Sequence, residues 1–147
     1  MSADVPEQLL IRAYQDIDKQ AVGDLWRIVF PGAPPWNEPD QDIQRKMTVQ
    51  PELLLVAHVG GQLAGTVMAG FDGHRGWIHL LAVSPEQRRS GLGKALMDAA
   101  EAGLIECGCS KVNLQVRTGN EQVISFYEKL GYGIEERVSM GKRIERV

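Results

Sequence analysis

Cysteine is almost missing from this chain: the 147 residues hold two, Cys107 and Cys109, on either side of one glycine. No second cysteine pair or nearby histidine completes a set of ligands, so no metal site is expected, and small buried or half-buried thiols in a reducing cytoplasm are. Long apolar runs are missing as well. None approaches the roughly 20 residues that span a bilayer, and no membrane association is expected. The opening MSADVPEQLL has no basic region followed by a long apolar one, so it does not read as a secretory signal. There is no excess of positive charge, since 16 Lys+Arg against 19 Asp+Glu leave a formal net charge of −3. That balance provides no field for nucleic acid. Internal repeats and low-complexity stretches are absent.

What is present suits one domain with a single core. Residues 1–8 read as a flexible lead-in and residues 9–147 as the domain. The periodicity predicts strands at 9–14, 53–59, 62–71, 77–83 and 111–116, with less sharply bounded closing strands at 132–138 and 140–144. Helices are predicted at 17–30, with Asp16 as N-cap, at 40–49, from the loop after residue 83 to about 107, and at 121–130. Val22, Leu25, Trp26 and Val29 form the apolar face of the first helix. Leu92, Leu96, Ala99 and Gly103 form that of the third.

The informative stretch is AVSPEQRRSGLGKAL, residues 82–96. It reads as a strand end stopped by Ser84-Pro85, a basic glycine loop, and the first turns of a helix. A helix starting behind Gly91 and Gly93 points free N–H groups and the positive end of its dipole outward, and Arg88, Arg89 and Lys94 add charge. Such a site suits phosphate. A P-loop is excluded, because Gly93-Lys94 is followed by Ala95 and position 88 is Arg where a glycine is required. A dinucleotide loop is excluded by Leu96 at the third glycine position and by the lack of an acid on the next strand.

Arg88-x-x-Gly91-x-Gly93, directly after Leu81-Ala82-Val83, resembles the acyl-CoA loop of the GCN5-related N-acetyltransferases (GNAT). The resemblance runs from about residue 9 to the C-terminus. It implies an α/β (α+β) fold with a mixed, mostly antiparallel sheet, splayed between its fourth and fifth strands and flanked by about four helices. By the same resemblance the backbone of Arg88, Arg89, Ser90, Gly91, Leu92, Gly93 and Lys94 holds the pyrophosphate of acetyl-CoA. The pantetheine arm extends the edge at Leu81, Ala82 and Val83, a use that exposed strand edges allow. Asn120, Phe126-Tyr127 and the exit Leu130-Gly131-Tyr132 resemble the family's fourth helix. Asn120 would bond the pantetheine, and Tyr127 would protonate the departing thiolate, for which a neutral phenol is suited. The alternative for Tyr127 is an aromatic that only packs.

The base is less plainly written. Ribosomal-protein N-terminal acetyltransferases carry Glu-Val-Arg where this chain has Gln115-Val116-Arg117, and glutamine accepts no proton. His79, in a His-x-Leu-Ala-Val run similar to that of arylalkylamine acetyltransferases, is the candidate, with a locally bonded strand histidine as the alternative. Strict alternation would put His79 on the side of Trp77, Leu81 and Val83. His58 reads as structural, and His74 as part of a solvated turn. Trp36, Asn37 and Glu38 precede the second helix where the family borders its acceptor. They would either bind a cationic amine or, in the case of Trp36, plug the core edge while the acids cap the helix. The reading is thus an acetyltransferase acting by direct attack on a small amine or a peptide or protein amine, with homodimerisation left open. Its rival is a non-catalytic acyl-CoA sensor.

Overall fold

A computed structural model describes residues 8–144, so the lead-in expected at residues 1–8 lies outside them apart from Gln8. The chain divides into two compact units, residues 1–115 and 116–147.

The first unit starts with β1 (Leu9–Ala13) and a 3-10 turn, Asp16–Asp18, that leads into α1 (Lys19–Val29). The helix begins later than its apolar spacing suggests because Asp18, rather than Asp16, anchors the entrance. Its carboxylate accepts both Arg12 guanidinium nitrogens, at 2.7 and 3.0 Å, and the Gln15 N–H at 2.9 Å. Burial alone would raise this carboxyl. The hydrogen bonds from Arg12 and Gln15, with the charges of Arg12 and His58, outweigh that and hold it below the usual carboxylate range. α2 (Pro39–Lys46) stops short of residue 49. Gln50 takes a left-handed φ of +50° before Pro51, where a helical conformation would clash with the proline ring.

β2 (Leu54–Val59), β3 (Gln62–Phe71) and β4 (Gly76–Val83) then run antiparallel, and β5 (Val112–Leu114) joins β4 in parallel after α3 (Leu92–Glu106). The sheet order is β1-β2-β3-β4-β5. One face packs under Val22, Leu25 and Trp26 of α1 and Ile43 of α2. The other receives α3, whose buried stripe is Leu92, Leu96, Met97, Ala100 and Leu104. Ala99 and Gly103, expected in that stripe, flank it. Each buried leucine contributes on the order of 1.5–3 kcal/mol. Gly65 lets α3 seat this closely: a Cβ there would stand 2.8 Å from the Ala82 carbonyl and 2.9 Å from Leu96.

Two irregularities shape β4. Its ladder with β5 ends at Ile78↔Leu114, so the two strands part there and His79 to Val83 have no partner on that side among the described strands. Its ladder with β3 slips between Thr66↔Ala82 and Met68↔His79, where two residues of β4, Leu80 and Leu81, stand opposite one of β3, Val67. This is a β-bulge, and Leu80 takes a φ of +53° within it. The strained carbonyl of Leu80 accepts the Thr66 hydroxyl at 3.0 Å, and Thr66 Oγ1 accepts the Trp26 indole N–H at 2.8 Å. Fully buried Thr66 thus ties α1 to the bulge.

In the second unit, α4 (Glu121–Lys129) begins at Asn120, whose side-chain oxygen accepts the Val123 N–H. The closing strands expected at 132–138 and 140–144 are not formed among the described residues. Alternation makes a segment fit for a sheet, but a strand exists only with a ladder partner, and the described residues of this unit form no strand.

Candidate functional site

The loop after β4 is built by its punctuation. Pro85 starts a 3-10 turn, Pro85–Gln87, and Arg88 is extended. Arg89 and Gly91 then take left-handed φ values of +63° and +80°. Gly91 is the N-cap of α3, and the Ser90 hydroxyl donates to the Gln87 carbonyl, bracing the turn. The first N–H groups of a helix have no acceptor within it, so those of α3 open toward this loop. Arg88 and Arg89 are exposed beside it. Lys94 is less available than its place suggests, because it pairs with Asp98 at 2.8 Å. Leu81, Ala82 and Val83 lie on the parted stretch of β4 that runs straight into the loop.

His79 opens that parted stretch, but not on the side that alternation assigns. The bulge resets the pleat: Leu80 packs against the same core cluster as Ala82 and Met68, and Met68 is the cross-strand partner of His79. His79 therefore shares its face with Trp77, Leu80 and Ala82, while Leu81 and Val83 turn to the other. The imidazole stacks on Trp77, with ring centroids 6.4 Å apart and planes 9° from parallel. His79 as a residue is exposed. Partial desolvation by the protein beside the ring, followed by the positive charge of Lys46, lowers its pKa from the ordinary histidine value, against the weaker pull of Asp42.

Lys46 was not expected in the site, since a lysine in a polar helix reads as solvated. The available signal is its spacing three residues after Ile43, on the buried face of α2. It is 7% exposed, and its ammonium donates to the Ala69 carbonyl at 2.6 Å. Burial lowers its pKa as well, against the negative charge of Glu52.

Before α2, Pro35–Asn37 forms a 3-10 turn that leaves Trp36 and Asn37 exposed, so Trp36 does not plug the core edge. Glu38 pairs with Arg27 of α1 at 3.1 Å. Arg45 binds the Trp36 carbonyl at 3.4 Å and Asp42 at 2.7 Å, which pins this segment to α2. His58 reaches Asp18 at 3.5 Å, a structural place, and the Asp72 carboxylate organises the turn that holds His74. Cys107 is exposed. Cys109 is buried, with its thiol on the Lys111 carbonyl at 3.2 Å.

The first unit thus carries the loop, the β4 edge, His79 and residues 36–38, while Asn120 and Tyr127 belong to the second. Within that unit Tyr127 is 9% exposed and meets Phe126 and Tyr132 edge-on, at centroid distances of 5.1 and 5.8 Å. Burial pushes its phenol up to about 12. Asn120 spends its oxygen on the α4 cap and keeps its amide N–H donors.

Comparison with known proteins bears on this arrangement. Residues 19–132 match the Acetyltransferase (GNAT) family. An acetyltransferase of Yersinia enterocolitica is 44% identical over 134 residues, covering 91% of this chain and 94% of that protein. The solved structure of Ard1 from Thermoplasma volcanium superposes with a TM-score of 0.76 at 29% identity, over 87% of this chain and 84% of that one. An aminoglycoside N-acetyltransferase solved in complex with CoA shares the fold, with a TM-score of 0.75 at 20% identity, over 92% and 94% of the two chains.

Proposed function

Because the chain belongs to the GNAT acetyltransferase family, we propose that it transfers an acetyl group from acetyl-CoA to a primary amine by direct attack in a ternary complex. The observation that carries this reading is the parted stretch of β4 leading into a left-handed glycine N-cap. One element offers an open strand edge, and the next offers converging helix N–H groups.

Each residue then has a task. The backbone of residues 88–94 takes the pyrophosphate, since N–H groups at a helix start favour negative charge, with Arg88 and Arg89 adding long-range attraction. Leu81, Ala82 and Val83 offer ladder N–H and C=O groups to the two amides of pantetheine, and the Asn120 amide donates to the same arm. Trp36 and Asn37 border the acceptor, with Glu38 held in place by Arg27. His79 takes a proton from the acceptor ammonium, directly or through water, because an alkyl amine with a pKa near about 10.4 arrives protonated. The neutral amine nitrogen forms its bond to the acyl carbon as the carbon–sulfur bond breaks, and the acylated nitrogen then loses its second proton to solvent to give the neutral amide. Tyr127 gives its phenolic proton to the thiolate and recovers one from solvent. The thioester supplies the activated acyl group. No acyl-enzyme is invoked, because the amine attacks the thioester directly.

The test is an acceptor screen that follows thiol release from acetyl-CoA across small amines, amino acids and peptides. Release that depends on one acceptor class supports the proposal. Tight acetyl-CoA binding with no release for any amine would return the chain to the sensor reading.

A further inference from the structure

β2 ends at Leu54↔Met68, yet β3 runs on to Phe71, so Ala69, Gly70 and Phe71 have no strand on that side. Two side chains stand in for it. Gln50 accepts the Phe71 N–H at 2.8 Å and donates to the Phe71 carbonyl at 3.1 Å, and Lys46 donates to the Ala69 carbonyl at 2.6 Å. An amide or a hydroxyl could cap Ala69 equally well. A buried ammonium is a costly choice, because it loses its hydration and, among the described residues, no carboxylate lies within ion-pair distance of it.

The position of that charge gives it a use. A Cβ on Gly70 would lie 3.7 Å from the Lys46 ammonium, Gly70 pairs with Trp77, and Trp77 stacks on His79. Gly70 and His79 are thus diagonal neighbours on one face, roughly 7–8 Å apart by sheet geometry. We propose that Lys46 is a positioning residue for the transfer reaction: its ammonium, clamped on Ala69 over the strand pair that carries His79, biases that imidazole toward the form that can take the acceptor's proton. This rests on the reading of His79 as the base. Among the described residues, the charged groups that act on His79 are Lys46 and Asp42, both from α2, and Asp42 is partly neutralised by Arg45 at 2.7 Å. Lys46 is itself faced by Glu52 and Cys107.

Lys46→Gln separates charge from capping, because the amide can still donate to Ala69. Lys46→Arg keeps the charge, and Lys46→Met removes both. Two readouts are needed. NMR titration of His79 requires no turnover, so it measures the coupling whether or not the proposed activity is correct. The kcat/KM profile with an accepted amine measures its use. Lys46→Gln and Lys46→Met should make His79 titrate at higher pH and cut kcat/KM at pH 6 about two- to fivefold, with the profiles converging at pH 8. Lys46→Arg should restore both. An unmoved His79 titration in folded Lys46→Gln overturns the proposal, and so does a shifted titration with an unshifted activity profile. If Lys46→Met fails to fold, Lys46→Gln and Lys46→Arg still decide it.

Discussion

At the scale of single residues, two hydroxyls do different work. The Tyr127 phenol is pushed up to about 12 by burial, so it stays protonated through the neutral and mildly alkaline range. Tyr127→Phe removes only the donor. It should lower kcat by about 10²–10⁴-fold while acetyl-CoA affinity stays within about twofold, read by steady-state kinetics and calorimetry. Full turnover in the Phe variant would leave Tyr127 a packing residue. Thr66 is structural: it accepts from Trp26 and donates to Leu80. Thr66→Val keeps the shape but strands a buried indole N–H and a carbonyl in the bulge. A loss of about 2–4 kcal/mol in denaturant unfolding is expected. An unchanged midpoint would mean that the bulge does not depend on this link.

At the scale of elements, the binding proposed for the loop between β4 and α3 is carried by its backbone. Gly91 holds a φ of +80°, where a β-branched residue is strained and its bulk would fill the space a phosphate needs. Gly91→Val should therefore weaken CoA binding by at least tenfold, at a strain cost of about 1–2 kcal/mol. Arg89→Ala should weaken it far less, since an exposed arginine acts through screened charge. Calorimetry that found the arginine change severe and the glycine change silent would replace the backbone cradle with a charge site. His79 belongs to this scale as well, because a bulge, rather than its own chemistry, decides which face it serves.

At the scale of the whole molecule, the Arg12–Asp18 pair joins the edge strand to the first helix. The folded pKa of Asp18 is lowered, so its stabilisation is complete above the ordinary aspartate value and disappears as pH falls through the lower folded value. Asp18→Asn should cost about 1–3 kcal/mol at pH 7 and progressively less below about pH 4. Thermal unfolding across pH 3–7 reads this directly. Parallel curves for the two proteins would show that the carboxylate charge contributes nothing.

The sequence by itself determined the features that local chemistry specifies. β3 occupies Gln62–Phe71 as its alternation predicts, and the strand, proline, glycine loop and helix of residues 77–106 follow from Pro85, Gly91 and the apolar spacing behind them. GNAT membership was legible for the same reason, since its motifs lie in short runs. Tertiary structure alone decided the rest. The bulge at Leu80 is held by Thr66 and by Trp26, which bonds Thr66 across 40 residues, and no local pattern reports such a partner. Lys46 is buried because β3 outlasts β2, a mismatch of strand lengths that neither strand shows alone. Residues 132–144 carry a strand-like alternation without becoming strands, because a ladder needs a second backbone and sequence writes only one.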